Sequence, residues 1–415
     1  MINKFKTEEL GIGFDFDVEF EENQKVNCII GKNGIGKTQL LENIAKSLIY
    51  THSIFSNDVN YKYNGLFYQK IINDKIKDLD LQLPLGININ NIEIKDKINQ
   101  KWKVAYFHHI PNNRNNQFIF DKPIVFIGAK NRGFTKNINP ENIKILGNGQ
   151  DRFVESLERT MSYINSYGLE HEEIANWFVS RLIINPNFVY AEQDKSNEVI
   201  TVLKLIEKLE PSLKLVVENA SGGNTISMIY NEGQLLFNRI PLNKLSTGFV
   251  SIVKIFQEIV VGYGGWSNLQ DLSLVDGVVF IDEIEAHLHI SWQTKIINIL
   301  KEFFPNTTFY ITTHSPLVLA GLKDGEAYEL YEHLKEEKIK INKDGIEKEE
   351  DIVKKFVKTK AISNIDNYFL SDIVSEFFGV NLNKNKLELL DTKEEADKRV
   401  QNGKEFLAFI ESMEN

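Results

Sequence analysis

An α/β fold with a largely parallel central sheet is predicted by three stretches of this sequence. Val26–Ile30 is a short apolar run that opens onto Gly31-Lys-Asn-Gly-Ile-Gly-Lys-Thr38, which satisfies G-x-x-x-x-G-K-[ST]. Val278–Ile281 is wholly apolar and ends in Asp282-Glu283, the pattern of a strand buried on both faces. Phe309–Ile311 is a third such run, ending in Thr312-Thr-His-Ser-Pro316, and Ile290–Phe304 before it has helical spacing. Strand, helix, strand in that order implies right-handed crossovers and a parallel core.

The first stretch carries the most chemistry. Glycines let backbone wrap a phosphate closely, and the following helix points its positive N-terminus at it. That helix is predicted over Gln39–Leu48, where Leu40, Leu41, Ile44 and Leu48 share a face. Lys37 is expected to reach the β- and γ-phosphates of a nucleotide and Thr38 to offer its hydroxyl to Mg²⁺. Asn33, Gly34, Ile35, Gly36 and Gln39 complete the loop that would hold ATP.

Composition sets bounds. At 415 residues the chain suits two or three structural units. A net charge of -10 argues against a mainly electrostatic nucleic-acid binder. The single cysteine, Cys28, excludes a disulfide framework and reads as a buried strand residue. No apolar run approaches a membrane span, so the expectation is a cytoplasmic protein with no membrane partner.

Taken in order, Phe14–Phe20 alternates apolar and acidic residues and is expected to pair with the strand ending at Ile30. Ile87–Ile94 reads as strand and turn, and Lys122–Ile127 as a strand ending at Gly128. Residues 129–151 look like a junction. Helices are predicted across Arg152–Leu182 and Asn197–Leu209, forming a helical insertion too short for a coiled-coil arm. Short strands follow at Leu213–Glu218, Thr225–Tyr230 and Gln234–Ile240, with a turn at Asn231-Glu-Gly233. A helix runs through Ile252–Val260, and Gly262–Trp266 reads as a flexible loop. Beyond Tyr328–Glu332, which alternates, the tail becomes charged around Lys335–Asp351. Two more helices are predicted at Asn367–Phe378 and Glu394–Met413. The resulting division is 1–128, an N-terminal lobe; 129–210, the insertion; 211–342, a second lobe; and 343–415, a helical tail suited to partner or oligomer contact.

The candidate site lies beyond the carboxyl ends of the strands, where open α/β sheets bind ligands. Asp282 is expected to bind Mg²⁺ and Glu283 to orient or deprotonate water. His314 is expected to contact the γ-phosphate. His287 and His289 form an H-x-H pair without the further ligands a zinc site needs. Arg132 is read as a surface residue, with a phosphate contact as the alternative. Gln69 is a weak candidate for water or Mg²⁺. Lys95, Lys97, Lys101 and Lys103 are read as a solvated face, with DNA contact as the alternative.

Gly31–Thr38, Leu245-Ser-Thr-Gly-Phe249, Val278–Glu283 and Thr313–Pro316 together resemble the ABC-type ATPases. The SMC, RecF and OLD-like branch is more similar than transporter subunits. Asp282-Glu-Ile-Glu-Ala-His-Leu-His289 looks like that branch's D-E-x-E-x-x-L-H element. The resemblance implies a P-loop NTPase of ABC type, a mixed central sheet with an antiparallel β lobe, and ATP and Mg²⁺ as cofactors. It implies a homodimer or higher oligomer in which Ser246 and Gly248 of one chain close on the ATP held by the other. The segment continues as Phe249 rather than with the transporters' Gly-Gln. The tail has no convincing D-x-D, and no H-N-H pattern occurs. The chain therefore looks like a stand-alone ATPase subunit of a phage-defence system of the PARIS or Septu type. Those pair the ATPase with a separate nuclease effector and respond to a phage-encoded trigger. A RecF- or SMC-like DNA repair ATPase is the alternative.

Overall fold

In a computed structural model, the described residues are 2–52, 86–95, 120–133, 146–164, 174–182, 194–211 and 218–379, with short gaps inside these ranges. The chain divides into two compact units, Met1–Ile365 and Asp366–Asn415. Gln69, Lys97, Lys101, Lys103, Leu213–Val217 and the helix predicted at Glu394–Met413 lie outside the described residues.

The strands of the first unit are β1 (Lys4–Glu8), β2 (Asp15–Glu19), β3 (Val26–Ile30), β4 (Gly86–Ile89), β5 (Ile92–Lys95), β6 (Ile124–Ile127), β7 (Glu218–Asn219), β8 (Gly223–Asn224), β9 (Met228–Asn231), β10 (Gln234–Phe237), β11 (Ile240–Pro241), β12 (Val278–Ile281), β13 (Thr308–Thr312), β14 (Ala327–Lys343) and β15 (Ile346–Ala361). The helices are α1 (Lys37–Tyr50), α2 (Gly149–Ile164), α3 (Ile174–Leu182), α4 (Ser196–Leu209), α5 (Thr247–Trp266), α6 (Ile290–Gln293), α7 (Ile296–Phe303) and α8 (Pro316–Ala320). The second unit contributes α9 (Leu370–Phe378), amphipathic, with Ile373 buried and Gly379 closing its C-terminus in the left-handed region.

Ten strands form one mixed sheet in the order β5-β4-β1-β2-β15-β14-β3-β13-β12-β6. From β14 to β6 every neighbour is parallel. β5, β4, β1 and β2 are antiparallel to one another. This is the expected mixed sheet with its antiparallel lobe. The parallel half is apolar on both faces because helices cover both: every residue of β3, β6, β12 and β13 is buried. Cys28 sits there at 0% exposure, and burial raises its thiol pKa well above the usual range.

Four readings change. Phe14–Phe20 does form β2, but β2 does not pair with β3; β15 and β14 lie between them. The charged stretch after Lys335 is strand: β14 and β15 pair continuously from Tyr328–Ala361 to Lys343–Ile346. Tyr331–Glu336 of β14 are all exposed, so an alternating pattern there is masked by charge. The Asp344-Gly345 dipeptide, in the sequence between the two runs, is the signal that could have found it. Ile290–Phe304 is two short helices, α6 and α7, and not one. Gly262–Trp266 is the last turn of α5, buried through Gly264, rather than a loop. Its glycines serve close packing: a Cβ at Gly262 would collide with Val125 Cγ2 on β6, and one at Gly265 would lie 2.6 Å from the Arg152 carbonyl on α2.

The predicted helical insertion is α2, α3 and α4, packed on α5. Buried ion pairs tie it together. Glu198 of α4 receives Arg181 Nε at 2.6 Å and Arg152 Nη1 at 3.5 Å, while Glu258 of α5 receives Arg159 Nη1 at 3.2 Å and Lys254 Nζ at 2.7 Å. Satisfying each charge with a partner is what permits its burial.

Candidate functional site at the carboxyl edge of the parallel strands

β3, β13, β12 and β6 run parallel, so their carboxyl ends share one edge, and each delivers residues there. After β3 the chain turns through Gly31–Gly36. Gly34 and Gly36 have φ of 80° and 99°, in the left-handed region that glycine enters without penalty. Asn33, Gly34 and Gln39 are exposed at this turn, and Ile35 is buried beneath it. Gly36 caps α1 without a side-chain hydrogen bond, leaving the first N–H groups of a 14-residue helix free for an anion. Lys37 Nζ bends back to donate to the Gly31 and Lys32 carbonyls at 2.8 and 3.2 Å. Burial lowers its pKa, opposed by the charges of Asp282, Glu283 and Glu285.

Thr38 and Asp282, distant in sequence, meet here. Thr38 Oγ1 donates to both Asp282 carboxylate oxygens at 3.0 Å. Thr312 Oγ1, from the end of β13, donates to Asp282 Oδ1 at 2.6 Å and accepts from the Glu283 N–H at 2.8 Å. A hydroxyl and a carboxylate converging in this way fit Mg²⁺, which takes few protein oxygens and fills its shell with water and phosphate. Glu283 has φ 45°, an uncommon conformation for a non-glycine residue.

The sequence patterns do not reveal two anchors of the Thr313–Pro316 segment. Glu285 accepts from Thr313 Oγ1 and from the His314 N–H, both at 2.6 Å. Gln293 accepts from Ser315 Oγ at 2.6 Å. His314 itself is exposed at the edge. The second acidic residue of D-E-x-E was the available signal for Glu285; nothing in the spacing marks Gln293. Arg132, expected at the surface with a phosphate contact as the alternative, is buried instead: its exposure is 0%, and it donates through Nη2 to the Glu283 carbonyl. Burial pushes its pKa down to about 10 despite the nearby carboxylates.

Ser246 and Gly248 are not brought to the phosphate loop. Ser246 is exposed and caps α5, its Oγ accepting from the Phe249 N–H at 3.2 Å. Gly248 packs on the turn after β12, where a Cβ would lie 2.7 Å from the His287 carbonyl. Among the described residues no hydrogen bond joins Ser246 or Gly248 to Gly31–Gln39. The turn holding Gly248 also orders the H-x-H pair. The His287 ring lies against Gly133, and His289 caps α6 through Nδ1.

Sheet, glycine-rich turn and strand-end acids together define the class of fold, that of a P-loop NTPase. Residues 128–320 match the family described as "AAA domain, putative AbiEii toxin, Type IV TA system". The Septu protein PtuA of Bacillus mycoides is 27% identical over 324 residues, 77% of this chain and 38% of that protein. The Septu protein PtuA of Bacillus thuringiensis is 25% identical over 319 residues, 74% of this chain and 70% of that protein. The chain thus spans well under half the length of the first of these relatives. Among solved structures, an SMC head bound to the C-terminal winged-helix domain of ScpA aligns over 85% of this chain and 97% of its own, with a TM-score of 0.38 and 13% identity. No helix among the described residues is long and apolar enough to cross a membrane.

Proposed function

We propose that this chain binds and hydrolyses ATP as an ATP-gated oligomeric switch, and that it is the sensor or scaffold subunit of an antiphage system controlling a separate nuclease effector. The observation that carries the ATPase reading is the meeting of Thr38, Asp282 and Thr312 beside a glycine cradle with Lys37 folded into it. In this reading the α1 N-terminus and Lys37 bind the phosphates, replacing the Gly31 and Lys32 carbonyls as partners of the ammonium. Thr38 and Asp282 would hold Mg²⁺, which would offset charge on the phosphate oxygens. Glu283 takes the proton of the attacking water. Its carboxylate has no hydrogen-bond or ion-pair partner among the described residues, leaving it free to do so. Glu285 holds His314 at the γ-phosphate.

The exposure of Ser246, away from its own chain's loop, supports a site completed by a second chain. Hydrolysis then times assembly. Light scattering on purified protein tests this: Glu283→Gln should form an ATP-dependent dimer or larger oligomer that persists, and Lys37→Ala should form none. Wild-type turnover by Glu283→Gln would overturn the assignment of the base. The defence role is supported by the likeness to PtuA. It predicts that the chain protects a bacterial culture from phage only together with a second, effector-encoding gene. Protection by this chain alone would sink the two-component reading. The DNA repair alternative predicts hydrolysis stimulated by DNA and lost steeply with salt; no described feature of the site favours it.

A further inference from the structure

The buried guanidinium of Arg132 has no role in the reading above. It lies in the segment after β6, whose strand is the outer neighbour of β12 in the parallel sheet. Arginine is among the residues least often fully buried without pairing, yet Arg132 is 0% exposed and forms no ion pair among the described residues. Nε and Nη1 have no hydrogen-bond partner, and the one bond that Nη2 makes is to a main-chain carbonyl. Groups left in this state cost free energy, and their retention calls for an explanation.

The carbonyl is that of Glu283, the residue whose φ of 45° is uncommon for a side chain of its kind. The other end of the same residue is held as well: its N–H donates to Thr312 Oγ1 at 2.8 Å, and its carbonyl also accepts from the Ala286 N–H at 2.9 Å. Glu283 is therefore clamped at both peptide groups while its carboxylate stays unbonded among the described residues. The charged groups around Arg132 are Asp282, Glu283 and Glu285 from the turn after β12, with the Tyr163 hydroxyl from α2. One buried cation thus faces three carboxylates.

We propose that Arg132 is a positioning residue for hydrolysis: it holds the Glu283 main chain in its left-handed conformation, so that the carboxylate is presented to water in one orientation. The contact is with the carbonyl, so the carboxylate remains available as a base. The proposal rests on the reading of Glu283 as that base.

The test is steady-state ATPase kinetics of Arg132→Gln and Arg132→Lys, alone and combined with Glu283→Gln, alongside thermal melting and binding of Mg·ATP. Arg132→Gln should lower kcat by about tenfold or more while KM for ATP stays within about threefold, because orientation of the base affects the chemical step and not ground-state binding. Arg132→Lys, which keeps the charge and one donor, should recover part of the loss. In the Glu283→Gln background, Arg132→Gln should subtract nothing further, since a residue acting only through Glu283 has nothing left to position. A purely structural role would instead lower both rates alike. Wild-type kcat in Arg132→Gln, or a further loss in the double variant, would overturn the proposal while leaving Glu283 as the base. Wild-type kcat in Glu283→Gln would overturn the base itself. If both Arg132 variants lose ATP binding and melt early, Arg132 is a structural strut, and the positioning role is refuted.

Discussion

Replacing Thr312 with valine removes one hydroxyl and almost no volume. That hydroxyl donates to Asp282 Oδ1 at 2.6 Å and accepts from the Glu283 N–H at 2.8 Å, in a residue with 0% exposure. A bond to an ionised carboxylate contributes about 2 kcal/mol, and an orphaned buried N–H costs about 1 kcal/mol or more. Thr312→Val should therefore lose about 3 kcal/mol. Thr312→Ser is the control: it keeps the hydroxyl and gives up a buried methyl, costing about 1 kcal/mol. Equilibrium urea unfolding followed by tryptophan fluorescence reads both. With an m-value of about 3 kcal/mol/M, the midpoint should fall by about 1 M for valine and by about a third of that for serine. Valine should also release the Glu283 backbone and so lower ATP turnover, while serine should not. If valine proves as stable as wild type, or serine the worse of the two, the hydroxyl is not what organises the acidic turn.

Further outcomes are equally specific. His52 is buried, bonds the Lys122 carbonyl through Nε2 at 3.1 Å, and is held neutral with its pKa lowered from 6.5 to about 4 by burial. The unfolded chain takes up this proton first, so stability should decline as pH falls from about 6.5 to about 4, by about 3 kcal/mol in total. His52→Gln should flatten that limb of a stability–pH curve, and an unchanged limb would show that other groups cause it. Gly262→Ala should destabilise by about 2 kcal/mol, because its Cβ has no room beside Val125; a melting temperature at or above wild type would restore the loop reading of Gly262–Trp266. Joining Lys335 to Lys354 through an Asn-Gly turn removes the outer hairpin. Only Ala327–Glu329 and Phe356–Lys358 pair with the flanking strands, so melting and ATP binding should hold, and early melting would mean that the outer hairpin carries part of the core.

Strand-end geometry makes the candidate site sensitive to backbone placement. Asp282 and Glu283 are adjacent but point to different partners, because Glu283 leaves extended geometry immediately after β12. A left-handed residue there turns the chain into the Glu285–His289 turn, which holds both the switch segment and the underside of Gly248. The Gly31–Thr38 turn, the acids and the Leu245–Phe249 segment are thereby linked through one short turn.

The sequence by itself determined the buried parallel strands β3, β6, β12 and β13 and the residue types of the candidate phosphate site. Fully buried strands have to be continuously apolar, and a phosphate cradle has to be glycine-rich with Lys37 and Thr38 at fixed offsets, so both leave patterns that survive in one dimension. The helices of residues 149–209 were legible for the same reason, through their apolar faces. Tertiary structure alone decided which strands are neighbours. It placed β15 and β14 between β2 and β3, because pairing partners far apart in sequence leave no local period. It turned Gly262–Trp266 into helix, because glycine's weak propensity gives way where two elements must touch. It buried Arg132, because no spacing records that a guanidinium in a loop will find the carbonyl of a residue on the neighbouring strand's turn. The chemistry of this site is written in residue types; its orientation is set by contacts among Arg132, Thr312, Glu285 and the backbone of Glu283, which only the folded chain brings together.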